Sequence, residues 1–436
     1  MEYMRQPIRL MAPSNTATIL LLFTVLVSDI ASPGNMPEAN QTAATLPQKT
    51  LKKKPGHHLG NFRLRPSITL TQQYEDNVFS ADSNEVSDWV IEIAPRLKLD
   101  STWGEHSIRL DAGASIGSYL EYDSENHKDY WAKADGRYDL STNSNLFGGI
   151  SLSRKHEGRD AEDAVLGGFE PIIYYVHSAH AGIKTKVGYT TYQFGSTFES
   201  LDFRNMGSGT SILFSDDRDR DLNSYGLRAT HRLNEHFSLF AQALYLTRDY
   251  DLRSDVEGYR RDSTGYRLAV GAKRTTPDGS QVEGYVGMLT QDYDDLRFQD
   301  VEEFDFGGKA TFTLGQSTKI SAKLDHALNE TIETASPGYL FTSLSGKLEY
   351  KISPRLIPYA SAGHGRSKYL QSAREENTLS AEMGVKYFVT PNAYITTGFR
   401  HSQRDPNNAG LTAGSYDFKK NSLFLGFTLL AYPLKH

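Results

Sequence analysis

From about residue 62 the chain alternates apolar and polar positions one for one. Trp89, Ile91, Ile93, Leu97 and Leu99 share one face, and Asp88, Glu92, Arg96 and Lys98 share the other. The pattern returns with Ile108, Leu110, Ala112, Ala114 and Ile116 against Arg109, Asp111 and Ser115. It returns again with Phe304, Phe306, Ala310, Phe312 and Leu314 against Asp305, Lys309 and Thr311. Successive residues of a strand point to opposite faces, so each segment is a strand with one apolar wall and one wet wall. A helical period hardly appears. The pattern predicts an all-β protein.

Two kinds of break separate these segments, and they alternate. Short turns fall at Ser101 to Glu105, Ser141 to Asn145, Val187 to Gly188, Asn234 to His236, Thr276 to Ser280, Gly315 to Ser317, Ser353 to Arg355 and Thr390 to Asn392. Longer acidic stretches lie between them, among them Arg159 to Glu170, Asn205 to Asp221, Leu252 to Tyr259 and Asp405 to Gly414. The short turns recur roughly every 40 residues, a hairpin repeat. They delimit about eighteen strands, with sixteen as the alternative, within the range of outer-membrane barrels. Segments of about 12 to 16 residues cross a bilayer when tilted and exceed the 5 or 6 usual in globular sheets. A propeller or sandwich would use shorter strands and similar turns at both ends. The spacing therefore predicts a single transmembrane antiparallel β-barrel over residues 62–436. Leu423, Leu425, Phe427 and Leu429 alternate on a terminal strand suited to close it against the first.

Composition agrees. The 436 residues are 38% hydrophobic and 11% aromatic, with 25 Tyr and 21 Phe. Aromatic girdles around a polar lumen give such a mixture. A net charge of −6 argues against a nucleic-acid-coating protein, and the absence of Cys excludes disulfide scaffolds and thiol chemistry. Arg5 and Arg9 precede the apolar run Ala17 to Val27 and then Ser28, Ala31 and Ser32, which reads as a signal peptide over residues 1–32. Residues 33–61, with Lys52, Lys53, Lys54, His57 and His58, read as a disordered periplasmic leader. The expected location is the outer membrane of a Gram-negative cell, with its lipid and the barrel insertion machinery as partners.

No catalytic constellation is present in the pattern, so no enzyme is expected. His177, Ser178 and His180 are the nearest approach to one, but alternation sends His177 and Ser178 to opposite faces. No metal site or cofactor is expected. Gly148-Gly149, Gly167-Gly168 and Gly307-Gly308 fit close packing or bulges better than a phosphate loop. The charges are more informative. Basic residues gather on the wet wall beside the short turns: Arg96, Lys98, Lys184, Lys186, Arg232, Lys273, Lys347, Lys351 and Lys386. Asp216, Asp217, Asp219 and Asp221, and Asp292, Asp294, Asp295 and Asp300, crowd the long stretches. Short turns face the periplasm, so the lumen is expected to be basic at its inner mouth and acidic at its outer one. A solvated, self-neutralising wall remains the competing account.

The opening strand Pro66 to Phe79, the run Ile93, Ala94, Pro95, Arg96 and Leu97, and the Pro- and Asn-rich turns resemble the β-barrel porins encoded in exopolysaccharide and capsule gene clusters of Gram-negative bacteria. The likeness covers about residues 62–436. It implies an outer-membrane channel exporting an exopolysaccharide or capsular polysaccharide, with a periplasmic polysaccharide export protein as partner and no nucleic acid. A general or substrate-selective diffusion porin is the alternative, and a lipid-modifying barrel enzyme a distant third. Diffusion porins narrow their lumen with an inward-folded loop, for which Asn205 to Asp221 is the candidate.

Overall fold

The computed structural model describes residues 56–162, 164, 170–208, 211–333, 335–407 and 417–432. The expected signal peptide and most of the leader, Gly167-Gly168, and part of the Asp405 to Gly414 stretch lie outside them. Eighteen long strands close into one antiparallel barrel. They are β1 (Phe62–Glu75), β2 (Asp88–Ser101), β3 (Ser107–Tyr119), β4 (His127–Asp139), β5 (Ser144–His156), β6 (Ile173–Val187), β7 (Thr190–Phe203), β8 (Arg220–Arg232) and β9 (Phe237–Tyr250). The second half holds β10 (Ser263–Thr275), β11 (Gln281–Tyr293), β12 (Val301–Leu314), β13 (Thr318–Asn329), β14 (Tyr339–Tyr350), β15 (Leu356–Tyr369), β16 (Glu375–Thr390), β17 (Ala393–Pro406) and β18 (Phe418–Leu430). Each strand pairs with its sequence neighbours. The ring closes where β18 pairs with β1, from Ser67 opposite Leu430 to Glu75 opposite Ser422. Closure joins the last strand to the first, so that neither end of the sheet is left unpaired against lipid.

Turn chemistry sets the inner end. Gly188 adopts φ +60° between Val187 and Thr190, a two-residue hairpin that a side chain at that position would strain. Gly279 at φ +87° ends the Thr276 to Ser280 turn, whose Thr276 amide donates to the Ser280 carbonyl at 2.9 Å. The longer connections, at the other end, are the outer loops.

The leader assignment needs one correction. His57–Leu59 form a short strand antiparallel to Phe62–Leu64, turning at Gly60, whose φ of +56° permits the reversal. Polar composition hid this pairing, because the segment adds to an existing edge and needs no apolar face of its own.

The apolar parity faces outward along every strand. Leu110, Ile150, Leu152, Leu227, Leu268, Phe304 and Leu425 are exposed there and form the lipid-facing belt. Tyr225, Tyr245 and Tyr266 sit side by side on β8, β9 and β10, their rings 6.3 and 5.0 Å apart, as part of an outer aromatic band. The opposite parity lines the lumen. Among the described residues, buried apolar side chains gather in two clusters near the outer rim: Ile172, Tyr174, Leu201, Phe203 and Met206, and Leu289, Tyr293, Phe298, Val301, Leu328 and Leu340.

The second cluster records a break in the wall. β12 pairs with β13 only from Gly308 opposite Leu324 to Leu314 opposite Thr318, although both strands run on toward the outside. Beyond that point β13 and β14 stay paired with each other and tuck inside β11 and β12. Leu328 and Leu340 keep the lipid-facing parity of their strands yet are buried against Leu289, Tyr293 and Val301, which point inward from β11 and β12.

Candidate functional site

The lumen is the site, and its two ends are built differently. At the outer end, arginines on the inner wall and in the loops are held by carboxylates. Arg159 of the β5–β6 loop makes a two-pronged pair with Glu125 at 2.7 and 2.8 Å. Arg218, before β8, makes another with Glu157 at 2.7 and 3.2 Å and covers the Phe203 ring at 4.1 Å. Arg374 lies 2.7 Å from Glu376 and 3.2 Å from Glu333, and Arg404 lies 3.4 Å from Glu376. Glu376 is 0% exposed, so all of these charges depend on one another. Planar guanidinium groups suit such two-pronged contacts better than ammonium groups do.

Several of these contacts cross the lumen. Arg374 donates to the Glu162 carbonyl at 2.8 Å and Arg404 to the Asp160 carbonyl at 2.7 Å, both in the β5–β6 loop. β5 and β17 are six strands apart along the wall, about 29 Å at the usual strand spacing, so the loop spans the opening. The β13–β14 hairpin crosses from elsewhere. Arg248 of β9 lies 2.9 Å from Glu330, and the Tyr250 hydroxyl donates to Glu330 at 2.6 Å. Arg261 donates to the carbonyls of Thr331 and Ser336 at 3.0 Å each and pairs with Asp255 at 2.8 Å.

The described part of the candidate Asn205 to Asp221 makes no such crossing contact. Its described part packs at the rim: Asn205 bridges Asp216 and the Ser215 amide, and Arg218 ties it to Glu157. It meets the hairpin at a cavity lined by Asp217, Arg218, Arg261, Glu330 and Thr331. Burial pushes the Asp219 carboxyl up to about 6, with Asp202, Asp216 and Asp251 adding to the effect and the Phe203 amide opposing it. The acidic outer loops are therefore largely occupied internally, as when Asp295 accepts both prongs of Arg297.

At the inner end the sequence-predicted basic residues separate into two arcs. On the β2–β4 arc they are neutralised: Arg96 binds Asp111 at 2.6 and 2.9 Å, Lys98 lies 3.8 Å from the same carboxylate, and Arg137 pairs with Asp139. Lys347 is likewise 3.1 Å from Glu349. Further along the wall, Lys184 and Lys273 make no ion pair among the described residues. The charges acting on Lys184 are those of Arg137 and Arg228, both basic. Arg228 is bound to Glu283 at 3.1 Å, and that carboxylate also faces Lys273 and Lys309, leaving a net positive patch on β6, β8, β10 and β12. Lys386 joins the wall at 4.9 Å over the Tyr394 ring, and Arg232 sits 5.6 Å over Tyr189. Lys186 and Lys351 are exposed at the rim, outside the lumen proper.

Two features from the sequence bear on other chemistries. His177 is exposed on the lipid face and Ser178 points inward, so the pair is split as alternation requires. His180, also inward, lies 3.7 Å from Asp135. No group of three or more potential ligands for a metal ion occurs among the described residues.

A closed barrel with an apolar belt, an aromatic band and a charged lumen defines an outer-membrane channel. The family model described as "Putative beta-barrel porin 2" matches residues 53–430, and the chain belongs to that family. Among solved structures, the chain is similar to the outer membrane protein OpdK from Pseudomonas aeruginosa, at 14% identity and a TM-score of 0.44, covering 84% of this chain and 99% of that one. It is also similar to OccK2 (OpdF) of the same organism, solved in complex with glucuronate, at 13% identity and a TM-score of 0.45, covering 84% and 98%. OpdO of that organism matches at 15% identity and a TM-score of 0.45, covering 84% and 97%. No curated protein matches the sequence.

Proposed function

We propose that this porin is a selective diffusion channel for small anionic solutes. The observation that carries the reading is the intrusion of two segments into the outer lumen, one tied to β17 and the β15–β16 loop and the other to β9, through buried arginines. A polysaccharide passing outward would have to displace both segments and break several buried charge pairs, each costly to open. A small solute needs only the space beside them. The patch around Lys184 and Lys273 supports anion preference, since free charges lining a narrow path raise the local concentration of oppositely charged solute.

Export of an exopolysaccharide with a periplasmic partner is the second reading. It rests on the family resemblance of the opening strands and shares the basic inner mouth. Purified protein in liposomes separates the two. Diffusion predicts swelling in small sugar acids that exceeds swelling in neutral sugars of the same size, and a deletion strain that keeps its surface polysaccharide. Equal swelling for acidic and neutral sugars, together with loss of surface polysaccharide in the deletion strain, would replace the diffusion reading with export.

A further inference from the structure

The wall between β12 and β13 is joined by hydrogen bonds only along its inner half, and the outer half overlaps like a lapped seam. Divergence begins at Gly307-Gly308, the dipeptide that the channel reading left without a role. A Cβ on Gly307 would come within 2.6 to 2.8 Å of the Tyr285 ring. Above it, β12 from Val301 to Gly307 has no ladder pairing on that side among the described residues, although the Phe306 ring still stacks on His326 at 4.7 Å before the strands part. Its depth is that of the outer aromatic band, since Tyr266 pairs with Thr290 and Thr290 with Glu302. Unpaired backbone is unfavourable there, where little water reaches.

Side chains stand in for the missing strand on the β13 side. Arg267 donates to the His326 carbonyl at 3.3 Å and Arg248 to the Leu328 carbonyl at 3.1 Å. The rim also bypasses the hairpin: Gln371, in the β15–β16 loop, accepts from the Gln299 amide at 2.7 Å and donates to the Arg297 carbonyl at 3.0 Å. That contact joins the β11–β12 loop directly to the β15–β16 loop and holds β13 and β14 inside.

We propose that the outer half of the β13–β14 hairpin is a gate with two positions, tucked inside the lumen as seen, or zipped onto the free edge of β12. The existing register needs no shift for the second position. Continued outward from Gly308 opposite Leu324, it places Phe304 opposite Leu328 and Glu302 opposite Glu330. Zipping exchanges the arginine bonds to the His326 and Leu328 carbonyls, and the hairpin's contacts with Arg248, Tyr250, Arg261 and Arg374, for a strand ladder, and clears the lumen. It rests on the reading of the lumen as a permeation path, and regulates that path.

The chain has no Cys, so engineered pairs report without background. In the tucked position Phe304 and Leu328 lie on opposite sides of the β12 wall. Phe304→Cys with Leu328→Cys should therefore cross-link in membranes only through the zipped position, while Phe312→Cys with Ile320→Cys, in the permanent ladder, reports the oxidation itself. The expected result is slow cross-linking of the first pair, faster by several-fold with Gln371→Ala, and higher single-channel conductance in the oxidised form. If Leu328→Cys prevents folding, Glu302→Cys with Glu330→Cys tests the same register. The gate is overturned if neither pair cross-links in the Gln371→Ala background while the control pair does. Cross-linking is read without conduction, so a silent channel that cross-links keeps the gate and removes the permeation reading.

Discussion

Arg404 and Lys184 both project into the lumen. Arg404 is 1% exposed, lies 3.4 Å from Glu376 and donates to the Asp160 carbonyl across the opening. Lys184 makes no ion pair among the described residues, and its charged neighbours Arg137 and Arg228 are basic. The same sign of charge thus does two jobs. Guanidinium groups buried against carboxylates and carbonyls hold segments in place at the outer end. Ammonium groups left facing water set the potential at the inner end. The outer end is mechanical and the inner end electrostatic, and each is open to perturbation without the other.

Breaking the outer set should have the largest effect. Glu376→Ala leaves Arg374 and Arg404 buried without their shared carboxylate, a loss of about 3–5 kcal/mol, seen as a lower temperature for loss of the compact gel form. A charge on the lipid face comes next: Leu110→Arg, in the inner half of β3, should cost up to about 2–4 kcal/mol and reduce assembly, whereas Arg109→Leu, on the wet face beside Asp100, should assemble normally. Equal assembly of these two variants would mean that the faces are assigned wrongly.

The inner end should respond in selectivity and not in stability. Lys184→Gln with Lys273→Gln should alter unfolding by less than about 1 kcal/mol while lowering anion preference, measured as the reversal potential across a salt gradient. The difference should shrink as salt rises and screening sets in. An unchanged reversal potential at low salt would make the patch a solvated wall.

The smallest effect is a pH dependence at the rim. Asp219 titrates at about 6, above the 3.8 of a free carboxyl, so the folded loop favours the protonated form. Its contribution is complete below about 3.8 and is lost as pH rises through about 6. Protection of the loop amides around Asp219, after correction for the slower intrinsic exchange in acid, should accordingly be greater at pH 5 than at pH 7.5. Asp219→Asn, which retains the acceptor, should flatten the difference.

Much of this architecture was legible in the sequence. Period-two alternation located the strands, their lengths indicated a bilayer, and the alternation of short and long connections counted the strands. All of these signals are local, carried by residues one or two positions apart. The outer constriction was not legible, because its partners are remote: Arg374 and Glu162 are separated by 212 positions, and Arg404 and Asp160 by 244. Acidic residues such as Glu330 and Glu333 carry no local signal, because nothing nearby in sequence shows which arginine they bind. The one local hint was the run Arg374-Glu375-Glu376 in a short outer connection. The tucked hairpin was hidden for another reason: Leu328 and Leu340 keep strict alternation, and the pattern does not distinguish a face covered by lipid from one covered by β11 and β12.

The difference between the two ends is tested most directly by asymmetric polymer exclusion in a planar bilayer. Polyethylene glycols of graded size are added to one side at a time, and the drop in single-channel conductance is read for each. The structure predicts that intermediate sizes entering from the periplasmic side lower the conductance, while the same sizes are excluded from the outer side by the crossed loop and hairpin. Identical size limits from both sides would contradict an outer constriction.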